Sequence, residues 1–222
     1  MNSANSEEIS KNVMKSGTSI VGIVCKDGVV MAGDRRATLG GQIVARKKEH
    51  KIAKINDYLV VAWTGGVSDA QLSAKIIAAE LKLKELKTKE RASVKEAANF
   101  IGTYLYRNIR TPSMVPAIVG LLVAGVNDDG TTELYTISPD GVVWLVEDFD
   151  ANLCSGMPYI LGLLERQYRK DLSLKEAIEL GKEAIKSSME RDTASGNGID
   201  VFTITKSGIQ HAVSEEIIPQ YK

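Results

Sequence analysis

The run Gly17-Thr18-Ser19-Ile20-Val21-Gly22-Ile23-Val24-Cys25, then Lys26-Asp27-Gly28, then Val29-Val30-Met31-Ala32-Gly33, sets the reading of this chain. Two apolar, β-branched runs about a short polar turn predict a pair of neighbouring strands. Asp34-Arg35-Arg36 follows the second run, and polar, patternless residues precede Thr18. A threonine at the junction of such an arm and a buried strand becomes an N-terminal residue after one cut. Its hydroxyl is then a nucleophile with its own α-amino group as general base.

Composition narrows the remaining options. At 222 residues with 44% apolar content, the chain is long enough for one large domain with a sizeable core. Basic and acidic residues balance at 28 each, so no net field favours nucleic acid or an anionic membrane. The longest apolar runs, such as Ala117 to Val126, are too short to span a bilayer. Residues 1–17 carry Glu7, Glu8, Lys11 and Lys15 and have no apolar centre, so they are not a secretory signal. Two cysteines, Cys25 and Cys154, make no disulfide framework and fit a reducing, cytoplasmic setting. The two histidines, His50 and His211, do not supply zinc-ligand spacing or a Ser-His-Asp triad, and no phosphate-binding glycine loop is present. A hydrolase built on this chain takes its base from elsewhere, and no metal or cofactor is expected.

Outward from the opening strands, Lys51–Ile55 and Tyr58–Thr64 read as two more, with turns at Gly40-Gly41 and in the charged Arg46–His50 cluster. The period then changes. Ser68-Asp69-Ala70-Gln71 reads as a capping box, with Leu72, Ile76, Ala79, Leu83 and Leu86 at helical spacing behind it. Ser93-Val94-Lys95-Glu96 opens a second helix with Val94, Ala97, Ile101, Leu105 and Ile109 on one stripe. Strands return from Ala117 to Cys154, broken by Asn127-Asp128-Asp129-Gly130 and Pro139-Asp140-Gly141. Helices are expected at about 157–169 and 173–190, the latter with a capping box at Ser173, and a last strand pair at 199–205 and 210–213. Segregated runs of strands and helices point to α+β. The predicted architecture is a four-layer αββα sandwich: two stacked antiparallel sheets flanked by helix pairs.

Four segments stand out: Thr18–Gly22, Asp34-Arg35-Arg36-Ala37-Thr38, Thr64-Gly65-Gly66-Val67-Ser68-Asp69-Ala70-Gln71, and Glu190-Arg191-Asp192-Thr193-Ala194-Ser195-Gly196. In this order they resemble the proteasome β-subunit family of N-terminal-nucleophile hydrolases, most closely archaeal-type members. The resemblance implies a 1–17 propeptide removed by autolysis at Gly17–Thr18 and a peptidase domain over 18–222. It implies Thr18 as nucleophile and Asp34 paired with a lysine, whose ammonium lowers the basicity of the neighbouring threonine amine by like-charge repulsion. Gly65 would supply an oxyanion N–H, and Ser155, Asp192 and Ser195 would hydrogen-bond around the Thr18 amine and hydroxyl. The family's spacing from the aspartate falls on His50, but the strand Ile52-Ala53-Lys54-Ile55 aligns if Lys51 is the lysine and one residue is inserted in the 46–50 loop. Cys154 stands where the family usually has glycine, and Ser19-Ile20 replaces a commoner Thr-Thr. Ala37, Trp63 and Val67 would line a shallow, apolar pocket for the residue before the scissile bond.

The implied activity is threonine endopeptidase in stacked heptameric rings with α-subunits and other β-subunits, fed unfolded protein by a ring ATPase, with no nucleic-acid or membrane partner. Two other readings remain open: a structural, non-catalytic β-subunit of the same ring, and a different N-terminal-nucleophile amidohydrolase.

Overall fold

The computed structural model describes residues 17–217. The opening run forms β1 (Ile20–Cys25) and β2 (Gly28–Asp34), paired antiparallel through the Lys26-Asp27 turn, with Ile20 opposite Gly33. All of β2 is buried, as its unbroken apolar sequence requires. The chain then makes a small hairpin of β3 (Ala37–Leu39) and β4 (Ile43–Arg46), which the sequence reading had marked only as turns. β4 is exposed along its length, so no burial pattern announces it.

The second sheet begins with β5 (Ile52–Lys54) and β6 (Leu59–Gly65). The first helix, α1, spans Val67–Thr88. Its start differs from the expected capping box: Gly66 occupies the N-cap with extended backbone and no side-chain cap bond, so Ser68 falls inside the first turn. Its buried stripe also differs. Ala70, Ser73, Ile77 and Leu81 face inward, whereas Leu72, Leu83 and Leu86 are exposed. Apolar residues at helical spacing line two sides of this helix, and only one of them meets the sheet. α2 (Val94–Arg110) follows expectation: Ser93 accepts from the Glu96 amide, Glu96 reaches back to the Ser93 amide, and Val94, Ala97, Ile101 and Leu105 are buried. Such reciprocal caps satisfy two donors that a helix start otherwise leaves open.

β7 (Val119–Val126), β8 (Thr132–Ile137) and β9 (Val143–Leu145) complete the second sheet, in the order β5-β6-β7-β8-β9. The two-residue β10 (Phe149–Asp150) crosses to the first sheet and pairs with β1. α4 (Leu174–Met189, capped by Ser173 and Glu176) packs on that sheet, and α3 (Met157–Gln167) packs against α4. β11 (Gly198–Thr205) and β12 (Gly208–Glu216) finish it as β10-β1-β2-β11-β12. Two antiparallel five-stranded sheets thus face each other, α1 and α2 outside one and α3 and α4 outside the other, as the α+β sandwich predicts. Leu134 on β8 reaches β1 so closely that a Cβ on Gly22 would lie 2.7 Å from its Cδ2. Among the described residues no helix is long and apolar enough to cross a membrane.

Candidate active site

Asp34 organises the site. It ends β2, is fully buried, and accepts at both carboxylate oxygens. Oδ1 accepts from the Ser19 amide at 2.9 Å and from Lys51 Nζ at 2.6 Å. Oδ2 accepts from the amides of Arg36 and Gly196, each at 2.9 Å. Four donors thereby offset the desolvation of a buried carboxylate. The Gly196 bond also ties the loop after α4 to the end of β2.

Lys51, at the entrance to β5, is 3% exposed and also donates to the Gly17 carbonyl at 3.2 Å. Of the two residues the family spacing left in competition, Lys51 therefore meets Asp34. His50 points away: its side chain is 59% exposed and its Nδ1 lies 2.7 Å from Asp200. Asp200, on β11, also receives the Arg35 guanidinium and His211 Nε2. Burial pushes its carboxyl up, but the hydrogen bonds from Arg35 and then His50 outweigh that and hold it below the ordinary aspartate value. The sequence neighbours of both Asp34 and Lys51 are therefore clamped on a second carboxylate.

Thr18 is 3% exposed, with its chain continuous through Gly17. Its nitrogen, here an amide, donates to Ser155 Oγ at 2.9 Å, and its carbonyl accepts from the Gly156 amide at 3.2 Å. Ser155 Oγ in turn lies 2.6 Å from Asp192 Oδ2, as does Ser195 Oγ. Thr18, Asp34, Lys51, Ser155, Asp192 and Ser195 thus converge from β1, β2, β5, the loop before α3 and the loop after α4. Gly17 fits by lacking a side chain: a Cβ there would fall 1.8 Å from Ala194 Cβ.

The loop that carries Ser155 is anchored by Asn152, a residue with no role in the sequence analysis. Its Nδ2 donates to the Leu121 and Ile137 carbonyls and to Thr136 Oγ1, at 3.0 to 3.1 Å, pinning the loop to the second sheet. Its backbone has φ 47°, a conformation asparagine tolerates better than most residues. Cys154 is buried against the Ile20 carbonyl, and burial pushes its thiol up to about 12. A thiol held neutral in this way is a packing group beside the site.

Gly65 ends β6 with φ 101°, where a Cβ would lie 2.1 Å from the Ile118 carbonyl oxygen. A side chain at that position is doubly disfavoured. Ala37 is buried at the start of β3, and Val67 is half-buried at the start of α1. Trp63 pairs with Leu121 and, through the ladder, shares a face with Ile137 and Val143. Val143 touches α2 at Gly102, so this is the helix-facing side of the sheet. Trp63 is 7% exposed there, and its Nε1 has no hydrogen-bond partner.

Comparison with known proteins places this geometry in a family. The sequence profile described as "Proteasome subunit" matches residues 14–204. A protein named "Proteasome subunit beta" from Ferroglobus placidus is 41% identical over 202 residues, covering 90% of this chain and 92% of its own length. One of the same name from Nanoarchaeum equitans is 39% identical, covering 87% of this chain and 95% of its own. Another from Methanopyrus kandleri is 39% identical, covering 92% and 95%. With a profile match over most of its length and archaeal β-subunit relatives that it aligns with almost end to end, this chain belongs to the proteasome subunit family.

Proposed function

We propose that this chain is a threonine-type endopeptidase subunit, made as a precursor and activated when the Gly17–Thr18 bond breaks. The observation that carries the reading is the position of that bond. Its carbonyl oxygen is on Lys51, its nitrogen is on Ser155, and the threonine between is buried at the foot of β1.

In the precursor, Thr18 Oγ attacks the Gly17 carbonyl carbon, and Lys51 Nζ stabilises the charge that develops on the oxygen. The C–N bond breaks as the Oγ proton passes to the departing nitrogen, leaving an ester on Oγ and a free Thr18 amine. Water then hydrolyses the ester and releases residues 1–17. In the mature subunit, the amine takes the Oγ proton as the oxygen attacks a substrate carbonyl. The Gly65 N–H steadies the tetrahedral oxyanion, and the amine passes its proton to the departing nitrogen. A second attack, by water, frees Thr18. Asp34 aims Lys51 Nζ, while Ser155, Asp192 and Ser195 orient the amine. By the family resemblance, Ala37, Trp63 and Val67 bound the pocket for the residue before the scissile bond.

The working form is a stacked ring of this chain with α-subunits and further β-subunits, supplied with unfolded polypeptide by a ring ATPase in the cytoplasm. The family match and the two buried, free cysteines support this setting. The test is intact-mass analysis after assembly with α-subunits. The wild-type chain is expected to begin at Thr18. Thr18→Ala should keep the arm and lose peptidase activity with its fold intact. Fully active particles that retain the arm would overturn the mechanism.

A further inference from the structure

Behind Ser195 the hydrogen bonding does not stop. Ser195 Oγ lies 2.7 Å from Ser19 Oγ, and Ser19 Oγ lies 2.7 Å from Ser188 Oγ, at the end of α4. Ser19 and Ser188 are fully buried. Gly156 closes the chamber: a Cβ on it would sit 2.0 Å from Ser19 Oγ.

Hydrogen counting fixes the direction of this chain. Three hydroxyls, Ser188, Ser19 and Ser195, bring one hydrogen each to three contacts: Ser188 with Ser19, Ser19 with Ser195, and Ser195 with Asp192. A single arrangement fills all three, with Ser188 donating to Ser19, Ser19 to Ser195, and Ser195 to the carboxylate. If Ser188 gives its hydrogen instead to the Ile185 carbonyl, also 2.7 Å away, two oxygens along the chain face each other with none between them. Hydrogen bonds aligned in series polarise one another, so the run ends in a strong donor to Asp192. Asp192 Oδ2 then holds Ser195 on one side and Ser155 on the other. Ser155 Oγ also lies 3.0 Å from the Thr18 carbonyl oxygen, but with its one hydrogen on the shorter contact to the Asp192 carboxylate it can offer only lone pairs to the Thr18 nitrogen. That orientation matters for a base. A Ser155 hydrogen turned onto the free amine would occupy the lone pair that must take the Oγ proton.

We propose that Ser188 and Ser19 are positioning residues for the terminal amine: their buried hydroxyl relay holds Asp192, and through it Ser155, so that Thr18 keeps its lone pair free. The inference rests on the threonine-peptidase reading. Ser188 acts only through Ser19 and Ser195, and neither Ser188 nor Ser19 needs to touch substrate.

The test uses particles reconstituted with α-subunits and a fluorogenic peptide. Ser188→Ala and Ser19→Ala should each lower kcat by roughly 10-fold or more, within what loss of alignment costs, with KM unchanged. The double variant should be no worse than the poorer single, because both cut one relay. Ser19→Thr, which restores the hydroxyl, should recover most of the loss. The acidic limb of the kcat profile should move to lower pH in both alanine variants. A hydrogen bond donated to the neutral amine, or looser placement of the Asp192 anion near it, makes the amine less basic. Asp34 and Lys51, the other charged groups at Thr18, are unchanged in these variants. A packing defect alone would lower thermal stability and leave that limb in place. Both single variants within twofold of wild type in kcat, or losses that multiply with an unmoved limb, would overturn the proposal while leaving the peptidase reading intact. An active Thr18→Ala particle would overturn both. If Ser188→Ala does not assemble, the Ser19→Ala and Ser19→Thr pair decides the question.

Discussion

Replacing Lys51 with alanine removes the cation from a fully buried carboxylate, and the structure sets how much that should cost. Asp34 and Lys51 meet at 2.6 Å with side-chain exposures of 0% and 3%. Breaking a buried pair by deleting one partner costs roughly 3–5 kcal/mol, because the surviving charge has lost its compensation. Here the carboxylate keeps the amides of Ser19, Arg36 and Gly196. We therefore expect the lower end, about 3 kcal/mol, or a melting-temperature drop of roughly 6–12 °C for a domain of this size. His50→Ala supplies the contrast. Its ring is largely exposed, and Asp200 retains Arg35 and His211 without it. The expected loss is below about 1 kcal/mol, as for other exposed pairs. Thermal unfolding of the isolated chain at neutral pH measures both variants, and peptide turnover in the assembled particle separates them further. Lys51→Ala should fall to near background, and His50→Ala should stay close to wild type. Equal costs, or the reverse order in turnover, would refute the assignment of the lysine and move the inserted residue elsewhere in the 46–50 loop.

Gly17→Val should block processing, since even a Cβ at this position lies 1.8 Å from Ala194 Cβ; mass spectrometry should find the arm attached, and cleavage at the wild-type rate would contradict the tight fit. Trp63→Ala should cost about 3–5 kcal/mol as a large core deletion and open the pocket to larger side chains in a peptide-library digest. A preference for large aromatic residues that is the same with and without the indole would exclude Trp63 from the pocket. Asp200 has a depressed folded pKa, so its contribution is present above the unfolded value of about 3.9 and is lost as pH falls through the lower, folded value. Asp200→Asn should therefore destabilise the chain at neutral pH, and the gap from wild type should narrow in strong acid. A gap that is constant across the acid range would mean that the carboxylate's charge is not what Arg35 needs.

Several elements were legible because their signals are local. The boxes at Ser93 and Ser173 cap α2 and α4 as read, since a serine and a glutamate three residues on satisfy each other's backbone whatever surrounds them. Ser68 carries a similar pattern, with a glutamine three residues on, and does not cap, because the Gly65-Gly66 turn brings the chain into the helix two residues earlier. The stripe of α1 was misread because Leu72, Leu83 and Leu86 follow the same spacing as the buried set, and periodicity alone cannot say which side meets the sheet. β10 and the β3–β4 hairpin are too short or too exposed to carry a pattern.

At the site, composition and spacing pointed to Thr18, but the roles of Asp34, Lys51, Ser155, Asp192 and Ser195 came from the family resemblance. The strand that follows it distinguished Lys51 from His50, and the structure places Lys51 on Asp34. Ser188 and Asn152 were passed over. Ser188 had a readable sign: it falls on the stripe of Ala177, Gly181, Ala184 and Ile185, where a hydroxyl among apolar residues has to find a buried partner. Asn152 had no such sign, because its partners are carbonyls from strands far away in sequence.

The contact of Lys51 with the Gly17 carbonyl has a consequence for the order of events in the life of the molecule. In the uncleaved chain the Gly17 carbonyl rests on Lys51, so residue 17 occupies the space next to Thr18. Under the proposed cleavage, the precursor is self-occluded and its first turnover is spent on itself. On that reading the turnover is a ratchet, since the released residues 1–17 are no longer tethered to refill the cleft. On the same reading, a newly made subunit is kept harmless to its neighbours until it matures, and afterwards it has no route back.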